Sequence, residues 1–199
     1  QNRYGGMLEV ETRVTSATRE VIIGGDRPTV LLGERINPTG KKRLAEALRA
    51  GDLTVVREEA IAQVAAGADI LDVNVGATGV DELTMLPLAV QAVAEVVDVP
   101  LCIDSRKVKA LAAALAVCPG RPIVNSVTGE EASLEEVLPL VKEFGTGIIC
   151  LTMNDGGMPE DYDGRVRIVD DIVGLLREND ISPGRAYFDP LVRPASTNP

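Results

Sequence analysis

Carboxylates and side-chain amides close nearly every long apolar run in this chain. The runs are Val30–Asn37, Ile70–Asn74, Leu101–Ser105, Ile123–Ser126, Ile148–Asn154 and Ala186–Leu191. They bring Asn37, Asp72, Asn74, Asp104, Asn125, Asn154 and Asp189 to or near their carboxyl ends, and none ends in a histidine or lysine. A carboxylate accepts hydrogen bonds, whereas an amide both donates and accepts. Gathered in one pocket, such a set is suited to holding a polar heterocycle. Asp104 and Asp189 lie within apolar runs, where a lone carboxylate is costly unless it is paired or faces a ligand. Asp72 and Asn74 could equally cap the loop that follows them. Asn37 precedes a proline and Asn154 precedes Asp155-Gly156-Gly157, so both have a turn-forming alternative. Ser105 and Ser126 are expected mainly to support loop backbone, with Ser105 a possible ligand contact. Glu34 and Arg35 are expected to form a buried pair.

These residues must be positioned by the elements between them. Helical patterns fall near Lys41–Ala50, Val55–Ala66, Met85–Val97, Lys107–Val117, Leu134–Phe144 and Arg165–Asn179. Asp52 and Ser133 are predicted N-caps, Ser133 with Glu136 as a capping box. The strands are continuous apolar runs, as expected where both faces of a sheet are covered. Alternating strand and helix predicts parallel pairing, in a doubly wound sheet or a (β/α)8 barrel. A glycine-rich dinucleotide fingerprint is missing after the first run, and polar ends on all six runs favour the barrel, whose mouth collects every strand end. The prediction is therefore an α/β fold, a TIM-type (β/α)8 barrel. A complete barrel takes about 250 residues, so these six units are expected to be an incomplete one, lacking the last two. Residues 1–29 read as an N-terminal extension with a β-hairpin, from Met7–Val14 and Arg19–Ile23, and residues 30–199 as the barrel. The hairpin could cover the barrel floor or an edge.

The bulk composition excludes several classes. The 199 residues are 45% hydrophobic and 25% charged, ordinary for a globular protein. A net charge of −10 without a dense basic stretch disfavours nucleic-acid binding. No apolar run approaches the roughly 20 residues of a membrane span, and no signal peptide is evident, so a cytoplasmic location is expected. Cys102, Cys118 and Cys150 show no metal-ligand spacing, and with histidine absent no metal site is expected.

In order, the segments GERINPTG (Gly33–Gly40), GADILDVNVG (Gly67–Gly76), LCIDS, VNS, LTMN (Leu151–Asn154) and FDPL (Phe188–Leu191) resemble the pterin-binding barrels. That family includes methyltetrahydrofolate:corrinoid methyltransferases, the folate domain of cobalamin-dependent methionine synthase and dihydropteroate synthase. The D-x-N-x-G element at Asp72, Asn74 and Gly76 is similar to the methyltransferase branch. The acidic-serine loop of dihydropteroate synthases is replaced here by Asn37-Pro38-Thr39-Gly40. The resemblance implies pterin contacts from Asp72, Asn74, Asp104, Asn125, Asn154 and Asp189, with Asn37 and Ser105 as possible additions. Asp189 would take the two-point bond to the pterin 2-amino group and N3–H. Asp104 and Asn125 would face the other ring nitrogens and carry the catalytic role. The family's amide after the seventh strand has no counterpart here. The reaction implied moves the N5 methyl of 5-methyltetrahydrofolate to a corrinoid. Tetrahydrofolate would be the co-substrate, and a D-x-H-x-x-G corrinoid motif is absent. The corrinoid (cobalamin) would thus arrive on a separate corrinoid protein, and a homodimer is a further implication. Dihydropteroate synthase-type condensation and a non-catalytic folate-binding module remain the alternatives.

Overall fold

A computed structural model describes residues 11–192. A hairpin of β1 (Thr12–Thr15) and β2 (Glu20–Ile23) comes first, with its strands antiparallel. Six strands follow: β3 (Leu32–Ile36), β4 (Ile70–Asn74), β5 (Leu101–Asp104), β6 (Ile123–Val127), β7 (Gly147–Leu151) and β8 (Ala186–Asp189). All their pairings are parallel, in the sequential order β3-β4-β5-β6-β7-β8. Between them run α1 (Lys42–Arg49), α2 (Thr54–Ala65), α3 (Glu82–Ala94), α4 (Val108–Val117), α5 (Glu131–Phe144) and α6 (Tyr162–Glu178). This is the predicted α/β architecture, six consecutive units of a β/α barrel. Among the described residues no helix is long and apolar enough to cross a membrane.

Successive strand residues point to opposite faces, and the core divides accordingly. Leu71, Val73, Leu101, Ile103, Val124 and Ile148 face the helices and pack with Leu86, Val90, Leu111, Leu138, Ile172 and Leu176. Ile70, Cys102 and Ile123 face the other way and pack with Val14 and Val21 of the hairpin, with Leu32, Ile149 and Tyr187 beside them. This second cluster lies at the amino ends of the strands, so the hairpin closes the barrel floor. The same parity then carries Asp72, Asn74, Asp104, Asn125 and Asp189 upward on the inner face, two or four residues beyond an apolar floor residue.

The hairpin is tied down by backbone. Thr15 and Arg121 exchange two amide–carbonyl bonds of 3.0 Å, and the Ser16 and Thr18 hydroxyls donate to Asp98. Gly120 sits under this junction at φ +77°, where a Cβ would lie 2.3 Å from the Thr15 carbonyl oxygen and 2.4 Å from that of Ser16. Neither backbone atom can yield. Gly120→Ala is expected to destabilise the protein by about 2–4 kcal/mol through clash and positive φ combined. Urea unfolding measures this, and a loss below roughly 0.5 kcal/mol would show that the hairpin does not clamp the floor.

Some local expectations need correction. Residues 7–10 of the first predicted run lie outside the described residues. Ser133 does not cap a helix: α5 already begins at Glu131, and Ser133 Oγ instead accepts from the Thr128 amide at 3.2 Å. Asp52 does hold the α2 start, accepting from the Thr54 amide at 2.8 Å. The caps overlooked are Asp81 on α3, bonded to the Leu83 amide at 3.2 Å, and Asp161 on α6, bonded to the Gly164 amide at 2.5 Å. Both helices start three residues before the predicted points, because their first turns are polar and precede the apolar periodicity.

Candidate functional site

Strand register assembles the site. Asn74, Asp104 and Asn125 are direct partners across β4, β5 and β6. Neighbouring strands lie about 4.8 Å apart, so inward side chains at one level can bond. Asn74 Nδ2 donates to Asp104 Oδ2 at 2.6 Å, and Asn125 Nδ2 donates to Asp72 Oδ1 at 3.1 Å. The result is two acid–amide pairs, one between the adjacent strands β4 and β5 and one reaching from β6 past β5 to β4. Asn74 Oδ1 in turn accepts from the Gly76 amide at 2.7 Å, which fixes that amide's orientation. A Cβ on Gly76 would stand 3.2 Å from the same oxygen, so a small residue suits the bend here.

The electrostatics of the cluster are unusual for carboxylates. Asp72 is 2% exposed. Burial pushes its carboxyl up to about 7, the bond from Asn125 opposes that rise, and the charges of Asp104 and Glu34 add to it. Asp104 is raised in the same sense by burial, against the Asn74 bond and the nearby Arg106 charge. Cys102 stands directly opposite Asp72 in the β4–β5 register. Burial first and the Asp72 charge next hold its thiol well above the usual range. Asp72 is therefore a buried carboxyl, held toward its neutral form and bonded by the Asn125 amide.

The remaining predicted residues are more locally engaged. Asp189 ends β8 on the inner-face parity and is exposed; its Oδ1 accepts from the Leu191 amide at 2.8 Å. The Asp189 carbonyl accepts from both the amide and the hydroxyl of Thr152 at 3.1 Å, joining the loops after β7 and β8. Asn37 Oδ1 accepts from the Thr39 amide at 3.0 Å, and Asn154 Oδ1 accepts from the Gly156 amide at 3.0 Å. Each of these two thus shapes its own turn. Ser105 is buried, donates to Glu82 Oε2 at 2.8 Å and accepts from the Lys107 amide at 3.1 Å. It anchors the start of α4. Register and bonding therefore gather Asp72, Asn74, Asp104 and Asn125, while Asp189, Asn37 and Asn154 stand at strand ends with bonds of their own.

Glu34 and Arg35 do not form the expected buried pair. The β3–β4 register slips between Gly33 and Ile36, and the additional residue turns Arg35 outward. Its guanidinium bonds Glu59 at 2.7 Å on the outer surface, and its amide bonds Gln63 Oε1 at 2.8 Å. Three neighbours of the cluster escaped sequence reasoning. Glu82 forms an ion pair with Lys107 at 3.0 Å while bonding Ser105. Arg106 is the nearby positive charge acting on Asp104. Cys102 carries no signal of its own in the sequence, and only its register with Asp72 gives it a place beside the site. An acid in the first helical turn could have signalled Glu82; nothing local distinguishes the other two.

Comparison with known proteins bears on this geometry. The family model described as pterin binding enzyme matches residues 33–198. A methylcorrinoid:tetrahydrofolate methyltransferase of Eubacterium limosum is 32% identical over 173 residues, covering 84% of this chain and 62% of that protein. A methionine synthase of Mycobacterium leprae (strain TN) is 28% identical over 159 residues, 77% of this chain and 13% of that protein. Among solved structures, the 7,8-dihydropteroate synthase of Vibrio fischeri ES114 superposes with a TM-score of 0.64 at 15% identity, covering 90% of this chain and 66% of that one. A Xanthomonas albilineans dihydropteroate synthase superposes with a TM-score of 0.61 at 21% identity, covering 91% and 65%. These structures share the barrel fold with this chain. The chain spans less than two thirds of the length of each of these relatives.

Proposed function

The chain belongs to the pterin-binding enzyme family, and from that premise we propose that it moves the N5 methyl group between 5-methyltetrahydrofolate and a corrinoid carried by a separate protein. The observation that carries this reading is the pair of acid–amide contacts, Asp72 with Asn125 and Asn74 with Asp104, which bring β4, β5 and β6 to one cluster. The identity of 32% to a protein named for methylcorrinoid and tetrahydrofolate supports the methyltransferase branch.

In this reading the ring is held by its edges. A pterin presents its 2-amino group and N3–H side by side, and one carboxylate accepts both in a charge-assisted two-point bond. Asp189 takes that role at the open end of β8. Asp104 and Asn125 meet the remaining ring nitrogens and the carbonyl, while Asp72 and Asn74 orient them through the bonds already described. Asn154, Asn37 and Ser105 shape the loops that rim the pocket. Tetrahydrofolate leaves poorly unless N5 is protonated or strongly hydrogen-bonded, so the protein's contribution is donor placement and alignment. Asn125 supplies the donor through its amide, and Asp104 the alignment by accepting from the ring. The corrinoid, when its carrier docks at the mouth, supplies the methyl acceptor or donor. No side chain of this chain has to act as nucleophile, which agrees with buried, fully protonated thiols at Cys102 and Cys150.

Two measurements on the same preparation test the proposal. Calorimetry should show saturable binding of 5-methyltetrahydrofolate, and single-turnover spectroscopy should show methyl transfer with a reduced corrinoid protein. Absence of folate binding, or brisk condensation of a pterin diphosphate with p-aminobenzoate in magnesium, would overturn it.

A further inference from the structure

We propose that the barrel floor carries a second binding site, distinct from the mouth, for a small oxyanion of the phosphate type. A cavity of about 140 Å³ opens at the amino ends of β6, β7 and β8, lined by Arg13, Arg121, Arg185, Ser182, Gly184 and Glu11 among others. Floors of such barrels ordinarily serve stability rather than ligand binding. Three guanidinium groups around one hollow are more than stability requires.

The charges in this hollow are unevenly balanced. Arg13 is paired with Glu20 at 2.6 Å, and Glu11 is taken by Arg27 at 2.6 Å with Arg13 at 3.6 Å. Arg185 has no acidic partner among the described residues. Its Nε donates to the Thr146 carbonyl at 2.7 Å and its Nη2 to the Val141 carbonyl at 2.5 Å, at the carboxyl end of α5. Arg121 makes no side-chain hydrogen bond or ion pair among the described residues, and its charge lies close enough to Arg185 to disfavour the latter's protonated form, adding to burial. Two like charges are thus held together at the rim of a partly enclosed hollow, one of them locked in orientation by backbone.

That arrangement matches a tetrahedral oxyanion. A guanidinium carries five donors in a planar fork. Arg185 spends two on carbonyls and keeps the rest, and Arg121 keeps all five. Ser182 Oγ accepts from the Gly184 amide at 3.3 Å, which leaves its own O–H free to donate. Phosphate accepts through several oxygens at once and pairs bidentately with arginine. A bound anion would relieve the Arg121–Arg185 repulsion and tie the hairpin, α5 and β8 together. Because the floor lies at the opposite end of the strands from Asp72 and Asp104, this inference stands independently of the methyltransferase reading.

The test is thermal unfolding and calorimetry with inorganic phosphate, ionic strength being held constant with chloride. Phosphate should raise the melting temperature saturably, as expected for a ligand that binds the native state alone. Arg121→Gln should weaken phosphate binding about tenfold or more, for loss of a charge-assisted bidentate contact. Arg121→Lys should recover part of the affinity. Arg43→Gln, in the first turn of α1 where its guanidinium pairs with Glu58 at 2.7 Å, should leave it unchanged. Glycerol 3-phosphate separates two sources of the anion: tighter binding than phosphate identifies a phosphomonoester, and equal or weaker binding identifies the free ion. A melting temperature unmoved by phosphate, or an affinity unchanged in Arg121→Gln, would overturn the site.

Discussion

At pH 8, Asp72→Asn is expected to be more stable than the parent protein, by as much as about 4 kcal/mol. The carboxyl titrates near 3.8 in an unfolded chain and at about 7 in the fold, and each pH unit between the two is worth about 1.4 kcal/mol. The direction follows from proton counting. Between those values the native state holds the proton more tightly than the unfolded state does, so stability falls as pH rises through this window. Above pH 7 the full cost of a buried carboxylate is present, and below about pH 4 it is gone. An amide of the same shape escapes the cost and can still accept from Asn125 through its oxygen. Urea unfolding of both proteins from pH 4 to pH 8 measures the difference directly. The two curves should converge below about pH 4, separate progressively between pH 4 and pH 7, and run parallel above it. Parallel curves across the range would mean that Asp72 does not carry the burial penalty assigned to it. A gain in stability on loss of a site residue is the usual mark of a group kept for function.

The second large effect concerns ligand affinity. Asp104→Ala and Asp189→Ala are each expected to weaken 5-methyltetrahydrofolate binding at least about 100-fold, the loss of a charge-assisted contact together with the unpaired ring donors it leaves behind. The two substitutions differ in what else they disturb. Asp104→Ala strands the Asn74 amide, whose Nδ2 donates to that carboxylate at 2.6 Å, and so costs stability as well. Asp189 is exposed and forfeits only its side-chain bond to the Leu191 amide at 2.8 Å. Its variant should lose affinity at nearly constant stability, which makes it the cleaner probe. Calorimetric affinities within threefold of the parent for both variants would remove these carboxylates from the pterin contact set.

How far the site was legible depends on whether a signal was local. Apolar runs ending in Asx residues located five of the six inner strands closely, because burial on both faces leaves an unbroken Val, Ile and Leu signature. The β3 run was placed correctly, but the slip between Gly33 and Ile36 was not visible. It costs one unpaired residue and follows from how that strand meets its neighbour, so Arg35 left the expected pair with Glu34 for Glu59. Helix interiors followed their periodicity, whereas α3 and α6 began three residues early on aspartate caps. Ser133 shows the converse error: a capping pattern matched in spacing, yet the hydroxyl was taken by the Thr128 amide.

By itself, the amino-acid sequence determined the alternation of strand and helix, the placing of Asp72, Asn74, Asp104, Asn125 and Asp189 at or near strand ends, and the family. The alternation rests on apolar runs and period-3.6 patterning within single segments, and the family on six short motifs in order. Tertiary structure alone decided that Asn74 bonds Asp104 while Asn125 bonds Asp72, that Cys102 stands opposite Asp72, and that the hairpin closes the floor. Those outcomes depend on register between strands separated by tens of residues. The raised Asp72 carboxyl depends on it too, since desolvation is a property of everything packed around a group and no segment carries it alone.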